Sequence, residues 1–229
     1  VEGDEYDTAY FDKGPKFLHY LPTIASINNV EFDHADIFAD IGAVERTFTR
    51  FVETIGEDGI LIVPAEDETV KRIISGCRGT IKTFGIDCKA DIQATDLRPN
   101  ADGVRFKLTI KGHGTVMTGL SIWGHHNVEN ALTAAGLAIS AGSSLEQVAA
   151  ALPGFRLPKK RQELKGVVRD VPVIDDFAHH PTAIEETLKS TRMRYEGRRI
   201  LALFEVESNT SRRRVFQDGF ARALAHADQ

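Results

Sequence analysis

Several residue types and patterns are scarce in this 229-residue chain, and their scarcity excludes whole classes of protein. Cys77 and Cys88 are the only cysteines, too few for a disulfide framework, so we expect a reducing, cytoplasmic setting. No apolar run approaches the ~18 residues that a membrane-spanning helix requires. Basic residues do not predominate, since 28 Lys and Arg stand against 33 Asp and Glu, which argues against a nucleic-acid partner bound through its phosphates. The remaining composition is typical of a globular protein with a packed core.

The two ends of the sequence do not look like natural domain boundaries. The chain begins at Val1 without an initiator methionine, and its last residues carry a helical pattern that stops at Gln229. Natural boundaries fall in polar segments rich in glycine or proline. We therefore expect this chain to be a piece of a longer polypeptide.

Strand-like and helix-like patterns alternate through the first two-thirds of the chain. Apolar residues recur at helical spacing in three stretches. The first starts at Val44, the second follows the predicted N-cap Asp67, and the third runs from about His126 to Ala141. Strands that alternate with helices indicate an α/β fold built on a mixed, largely parallel sheet. The last three strands follow one another through short turns, which predicts an antiparallel addition. The strand-like runs are Lys16–Tyr20, Thr23–Asn28, Gly59–Val63, Thr80–Phe84, Ile92–Leu97, Val104–Ile110 and Thr115–Leu120.

The composition changes after Leu152, where proline, glycine and a Lys-Lys-Arg run are typical of a linker. Beyond it, the pattern predicts strands at Val167–Val168 and Pro172–Asp175 around a turn at Arg169-Asp170. A helix from Pro181 and a further strand at Arg199–Phe204 follow. This order resembles the start of a second α/β domain. We therefore divide the chain into residues 1–153 and residues 154–229.

A polar cluster from Asn28 to Asp36 follows the second predicted strand. Ligands bind open α/β sheets at the carboxyl ends of strands, and carboxylates together with His34 can hold a divalent cation. Asx turns that cap a loop explain the same residues equally well. The segment alone does not decide between these interpretations.

Two asparagines three residues apart lie near the start of the helix that follows Gly124. Asn127 and Asn130 share one helix face. A primary amide offers both a donor and an acceptor, which suits the edge of an adenine base. Simple helix capping by asparagine is the alternative interpretation.

The loop between the strand ending at Asp175 and the helix from Pro181 carries Asp176 and two histidines. An acidic residue in such a loop of a nucleotide-binding fold can bind ribose hydroxyls. The alternative is a capped helix with surface histidines.

Three arginines at residues 212–214 follow Ser208, Asn209 and Thr210, near the start of the last predicted helix. Positive charge at a helix N-terminus opposes the helix macrodipole, and a bound anion would compensate for it. A solvated basic turn is the alternative.

Taken in order along the chain, these polar motifs resemble those of the Mur ligases, a family of ATP-dependent ligases that build the peptidoglycan precursor. The motifs are Glu-x-Asp-Glu-Tyr-Asp from residue 2, Asn-Asn-x-Glu-x-Asp-His-x-Asp, Gly-x-His-Asn-x-x-Asn, Arg161, and Asp-Asp-x-x-His-His-Pro. The resemblance covers the whole chain. It implies a central ATPase domain over residues 1–153 and the start of a Rossmann-like C-terminal domain over residues 154–229. The family's Gly-rich phosphate loop has no counterpart in this sequence, so we expect the chain alone to lack ligase activity.

The resemblance also implies roles for individual residues, with ATP and Mg²⁺ as cofactors. Histidine is an unusual ligand for a hard cation, so Mn²⁺ is a second candidate metal. His34 and Arg161 would be the catalytic residues. By resemblance, Glu2 and His34 bind the metal, Asn127 and Asn130 face adenine, Arg161 meets the ATP phosphates, Asp176 binds ribose with His180 nearby, and Ser208, Asn209, Thr210 and Arg212 face the incoming peptide.

Within the family, the stretch 6–38 and the segment 208–210 resemble one branch most. That branch joins L-alanyl-γ-D-glutamyl-meso-diaminopimelate to UDP-N-acetylmuramate in murein recycling. The nearest rival is the sister ligase that adds L-alanine to the same UDP-sugar. A third hypothesis is a metal-dependent hydrolase built from Asp33, His34, Asp36 and the histidine pairs at 125–126 and 179–180. A fourth is a non-catalytic module that binds nucleotide or a partner.

Overall fold

The computed structural model describes residues 4–5, 7–33, 37–206 and 214–229. Short 3₁₀ turns accompany several of the regular elements. The strands are β1 (Asp7–Ala9), β2 (Asp12–Pro15), β3 (Ile24–Ser26), β4 (Ile60–Pro64), β5 (Thr80–Ile86), β6 (Ile92–Asn100), β7 (Gly103–Ile110), β8 (Gly114–Leu120), β9 (Glu163–Val168) and β10 (Val171–Asp175). The helices are α1 (Ile41–Glu53), α2 (Glu68–Ile73), α3 (His125–Ser140), α4 (Leu145–Ala151), α5 (Pro181–Arg194) and α6 (Gln217–Leu224).

A six-stranded sheet, in the order β3-β4-β5-β6-β7-β8, is the main layer of the fold. The first four of these strands pair in parallel. Strands β6, β7 and β8 are neighbours joined by two or three residues, and connections that short reverse the chain. The sheet is therefore mixed, as the sequence predicts. The antiparallel addition was predicted from Ile92, but β6 pairs with β5 in parallel, so the addition consists of β7 and β8 alone.

Helices α1 and α2 begin at aspartate caps. The Asp40 carboxylate accepts a hydrogen bond from the Ala43 N–H at 2.8 Å, and the Asp67 carboxylate accepts one from the Val70 N–H at 2.9 Å. The predicted N-cap at Asp67 is confirmed. Both helices bury their apolar faces in one hydrophobic cluster with the strands, because each carries aliphatic residues at helical spacing. Fully or almost fully buried members of this cluster are Val52, Ile55, Leu61, Val63, Val70 and Ile73.

Helix α3 approaches the sheet closely through a glycine. A Cβ atom added at Gly136 would meet the side chains of Ile92 and Ile62. Ala135 and Leu132 on the same helix are buried. The absence of a side chain at Gly136 therefore lets the helix backbone lie against the strands.

The hairpin of β9 and β10 confirms the predicted turn at Arg169-Asp170. Val168 pairs with Val171 across the two-residue turn, and Arg169 and Asp170 have φ angles of 49° and 65°. Positive φ at both central residues is the requirement of a type I′ hairpin turn. Arg198 donates hydrogen bonds to the backbone carbonyl and to the carboxylate of Asp170.

Two strand predictions are wrong. The run predicted as a strand at Lys16–Tyr20 instead forms a 3₁₀ helix at Lys16–His19. Its Phe17 ring packs against Phe48 and Phe51, with ring centroids 5.3 and 4.9 Å apart. The local turn buries that ring, whereas the strand prediction used only the short apolar pattern.

The second wrong prediction is the strand at Arg199–Phe204. The segment has no regular secondary structure. Its hydrogen bonds go to the Asp228 side chain and to the backbone of residues 228–229, for example from the Ala202 N–H to the Gln229 carbonyl at 2.9 Å. Two isolated backbone hydrogen bonds do not form the ladder of a β-sheet. The prediction used the hydrophobic pattern of the segment, which does not show whether a neighbouring strand is present.

The chain divides into two compact units that each combine separate stretches of sequence. The first contains Val1–Thr95, Lys107–Val116 and Glu129–Val148. The second contains Asp96–Phe106, Met117–Val128 and Ala149–Gln229. Among the described residues, no helix has both the length and the apolarity that crossing a membrane requires.

Candidate functional site

Six of the residues predicted to form the site lie outside the described residues, and their roles stay predictions. Five others can be placed. The six are Glu2, His34, Ser208, Asn209, Thr210 and Arg212, and the five are Asn127, Asn130, Arg161, Asp176 and His180.

Two loops at the open end of the β9–β10 hairpin run beside each other and bring Arg161 close to the Asp176 loop. The Phe177 N–H donates to the Lys160 carbonyl at 2.8 Å, and the Gln162 N–H donates to Asp176 Oδ2 at 2.7 Å. Lys160 and Gln162 both have positive φ angles, 59° and 45°, an uncommon conformation for residues with side chains. The motifs containing Arg161 and Asp176 therefore share one loop pair.

Arg161 is exposed, and its guanidinium lies over the Phe177 ring, 5.6 Å from the ring centroid. The Phe177 ring in turn meets His179 edge to face at 4.9 Å. Within the described part of the chain, no carboxylate pairs with this guanidinium. A planar, permanently charged group in this setting suits a phosphate, which it can bind with two parallel hydrogen bonds.

Asp176 already holds three donors. Its Oδ1 accepts from the Ala178 N–H at 2.8 Å and from the Thr187 hydroxyl at 3.2 Å, in addition to the bond from Gln162 to Oδ2. A carboxylate has about four lone-pair positions. These contacts join the two loops and the helix, but none of them caps α5, whose N-cap residue His180 makes no side-chain capping hydrogen bond. The predicted ribose contact would have to share the carboxylate with the three donors.

His180 is the N-cap residue of α5, where its backbone is extended with φ −107°. Its ring lies edge to face against Phe216, with centroids 5.6 Å apart. This contact holds the imidazole beside the positive end of the α5 dipole.

Asn127 is buried, with 5% of its surface exposed, and its Nδ2 donates to the Trp123 carbonyl at 2.6 Å. The amide therefore stabilises the turn that opens α3, but it does so as a donor to a carbonyl, whereas a capping asparagine accepts from a backbone N–H. One N–H of the amide is used in this way, and the adenine contact stays a prediction.

Asn130 is exposed, and its Oδ1 accepts a hydrogen bond from Asn28 Nδ2 at 2.9 Å. These two residues are 102 positions apart. Asn28 belongs to the polar cluster after β3, but sequence reasoning assigned it no role. One sequence feature could have suggested this pair: both asparagines lie in polar segments, one after β3 and the other near the start of α3.

Sequence reasoning also missed the surroundings of His126, which lies inside the Gly-x-His-Asn motif. Its Nδ1 lies 3.6 Å from Glu186 Oε2, within the distance of an ion pair. This buried nitrogen makes no hydrogen bond among the described residues. The pKa of Glu186 is lowered to about 2, first by His126 and then by Lys189, against the opposing effect of burial. No pattern in the sequence connects residue 126 with residue 186.

Metal ligands cannot be assembled from the described residues. Among them, no group of three or more His, Cys, Asp or Glu side chains could hold a metal ion. The candidate ligands Glu2 and His34, and Asp36 of the hydrolase hypothesis, lie outside these residues.

The fold defines an α/β protein with a mixed sheet, and its polar loops carry the motifs described above. The model of the Mur ligase middle domain matches residues 14–138, and the model of the Mur ligase, glutamate ligase domain matches residues 160–229. The chain belongs to the Mur ligase family. This confirms the resemblance drawn from the motifs.

Relatives of known name match along the full chain. The UDP-N-acetylmuramate–L-alanyl-gamma-D-glutamyl-meso-2,6-diaminoheptandioate ligase of Haemophilus influenzae is 39% identical over 100% of this chain and 50% of its own length. The UDP-N-acetylmuramate–L-alanine ligase of Salinibacter ruber is 32% identical over 100% of this chain and 46% of its own length. A crystal structure of a murein peptide ligase from Psychrobacter arcticus 273-4 is 38% identical, with a TM-score of 0.72 over 100% of this chain and 47% of that chain. The chain spans about half the length of the curated relatives it matches.

Proposed function

We propose that this protein acts as an ATP-dependent ligase that joins L-alanyl-γ-D-glutamyl-meso-diaminopimelate to UDP-N-acetylmuramate in murein recycling. The observation that carries the proposal is the 39% identity with a ligase of that name along the entire chain. The alanine ligases of Salinibacter ruber and Persephonella marina are 32% and 36% identical. The alignment covers both segments matched by the family models and the residues between them. The proposed domains are residues 1–153 and residues 154–229.

The proposed reaction has two steps. A carboxylate oxygen of the muramate group attacks the γ-phosphorus of ATP, so that ADP leaves and an acyl phosphate forms. The amine of the tripeptide then attacks the acyl carbon, and the tetrahedral adduct expels inorganic phosphate and releases a proton as the amide forms. Because a carboxylate is a poor electrophile, the phosphorylation supplies the leaving group, and the protein mainly positions reactants and neutralises charge.

Arg161 is the described residue best placed for that neutralisation. Its exposed guanidinium, held over Phe177 and without a carboxylate partner among the described residues, would bind phosphate oxygens. Asn127 and Asn130 would face the adenine, and Asp176 the ribose with His180 beside it. The two asparagine amides and the Asp176 carboxylate each have a hydrogen-bond partner within the protein. Their contacts with the nucleotide would use the donor and acceptor positions that remain.

A divalent cation, Mg²⁺ or Mn²⁺, would neutralise phosphate charge when bound. Glu2 and His34 are its proposed ligands. Ser208, Asn209, Thr210 and Arg212 would contact the incoming tripeptide.

The proposal is tested by trapping the acyl phosphate. The whole gene product is supplied with ATP, Mg²⁺ and UDP-N-acetylmuramate, and hydroxylamine is added in place of the peptide. We expect a muramoyl hydroxamate to form together with one ADP for each hydroxamate. Phosphate release that needs no ATP would instead favour the metal-dependent hydrolase, and ADP release without hydroxamate would contradict the acyl-phosphate step.

A further inference from the structure

Helix α5 presents three side chains, spaced four residues apart, to the first turn of α3 and the residues just before it. Residues at this spacing lie on one face of a helix. Glu186 faces His126, Ser190 faces Gly124, and Arg194 faces Trp123. All of these residues belong to the second compact unit.

The contact between Ser190 and Gly124 is tightly packed. Ser190 is fully buried, and a Cβ atom added at Gly124 would collide with the Ser190 hydroxyl and with the His126 ring. Gly124 also has a φ angle of 108°, a conformation that favours glycine. The Ser190 hydroxyl donates to the Glu186 carbonyl at 2.6 Å, within its own helix. A small residue on each side therefore lets the helix and the turn meet.

The third contact fixes the indole of Trp123. The Arg194 guanidinium carbon lies 4.6 Å from its ring centroid, and the indole N–H donates to the Asn100 carbonyl at 3.0 Å. The Trp123 carbonyl is the acceptor for the Asn127 amide. The orientation of Asn127 is therefore tied to a residue that α5 covers.

The first contact places a charge beside the turn. The side chains of Glu186 and His126 are 27% and 29% exposed, and Glu186 Oε2 lies 3.6 Å from His126 Nδ1. Lys189 holds the other oxygen of Glu186 at 3.1 Å. Glu186 is kept ionised by these neighbours, so the buried His126 nitrogen faces a fixed negative charge.

We infer that α5 is the positioning element of the nucleotide site, and that Glu186 acts as a positioning residue by holding His126, and with it the turn that carries Asn127. The inference rests on the proposed function, because it takes Asn127 to face the nucleotide. The same helix begins directly after His180, in the loop proposed for the ribose. One helix thus joins the loop proposed for the ribose to the turn proposed for the adenine.

The chain contains a reporter for this contact, since Trp123 is its only tryptophan. Acrylamide quenching of its fluorescence, excited at 295 nm, measures how well α5 covers the turn. We expect Glu186→Gln and Arg194→Gln each to raise the quenching constant about twofold, as expected when a covering contact is lost. The matched controls are Glu185→Gln, whose carboxylate pairs with Lys189 and His226, and Arg192→Gln, whose guanidinium pairs with Asp228. The controls should leave quenching unchanged.

The second arm measures ligation by the whole gene product. Glu186→Gln should raise the KM for ATP about five- to tenfold while kcat stays within about twofold, since a contact that only positions bound nucleotide affects its binding. Glu185→Gln should change neither constant. Unchanged quenching, or altered quenching with an unchanged KM for ATP, would overturn the inference. If the unaltered protein shows no ATP-dependent ligation, the proposed function fails, and the quenching arm still decides whether α5 holds the turn.

Discussion

Some residues predicted to form the site also have structural contacts, and Asp176 has three of them. Its carboxylate was predicted to bind ribose, and it holds the Gln162, Ala178 and Thr187 donors in place. A residue with three internal partners contributes to the fold whether or not a nucleotide is bound. Its substitution therefore has a measurable effect on stability.

Asp176→Asn should lower the free energy of unfolding by about 1–3 kcal/mol, because the new amide presents a donor where the Gln162 N–H needs an acceptor. Urea denaturation without nucleotide measures this change. Asp58→Asn, at an exposed turn position, is the control and should change the stability by less than about 0.5 kcal/mol. A fully stable Asp176→Asn variant would mean that the hydrogen bonds to this carboxylate are not important for folding.

Glu186 should make stability depend on pH. Its pKa is about 2 in the folded protein and 4.5 ordinarily, so the unfolded chain binds the proton more readily. The contribution is complete above the ordinary pKa and is lost as the pH falls from about 5 to about 2. Its size is at most about 3 kcal/mol, and less where solvent screens the pair.

Denaturation at pH 7 and pH 3, for the unaltered chain and for Glu186→Gln, tests this linkage. The difference in unfolding free energy between the two pH values should be smaller in Glu186→Gln. Glu57→Gln, an exposed position, serves as the control. An equal pH dependence in Glu186→Gln and the unaltered chain would show that the pair with His126 adds no stability.

Among the elements, those with strong local signals were predictable. Asp67 caps α2 as expected, and the turn at Arg169-Asp170 closes a hairpin, because caps and turns depend on residues close in sequence. The strand predicted at Arg199–Phe204 failed because a strand also needs a partner elsewhere in the chain. The contacts of α5 with Trp123, Gly124 and His126 were not predictable for the same reason, since they join residues about 60 or more positions apart.

Substitution of Gly136 tests the packing of α3 against the sheet. Helix propensity alone predicts that Gly136→Ala stabilises α3 by about 1 kcal/mol. The added methyl group would meet Ile92 and Ile62, and overpacking of a core costs about 1–3 kcal/mol. We expect a net loss of stability in urea denaturation. A gain would show that α3 does not lie as close to the sheet as the structure places it.

For the molecule as a whole, the class of fold and the family were predictable from the sequence. Alternating strand and helix patterns indicated the fold, and short motifs in a fixed order indicated the family. The mixed sheet and both family matches confirm that part. The candidate site was predicted less completely. Arg161 and Asp176 share a loop pair, but the roles of Asn28, His126 and Glu186 depend on long-range contacts that no string of residues records.

We propose that the incoming nucleophile is a preformed tripeptide. Ser208, Asn209 and Thr210 followed by three arginines suit a substrate with several carboxylates, whereas one arginine can hold the single carboxylate of alanine.

The most direct test is the ratio of kcat/KM for L-alanyl-γ-D-glutamyl-meso-diaminopimelate to kcat/KM for L-alanine. It is measured by ADP release from the whole gene product, with UDP-N-acetylmuramate and ATP present at saturation. We expect a ratio of at least about 100, equivalent to about 2.7 kcal/mol of discrimination. A ratio below one would contradict the assignment and identify the alanine ligase as the correct branch.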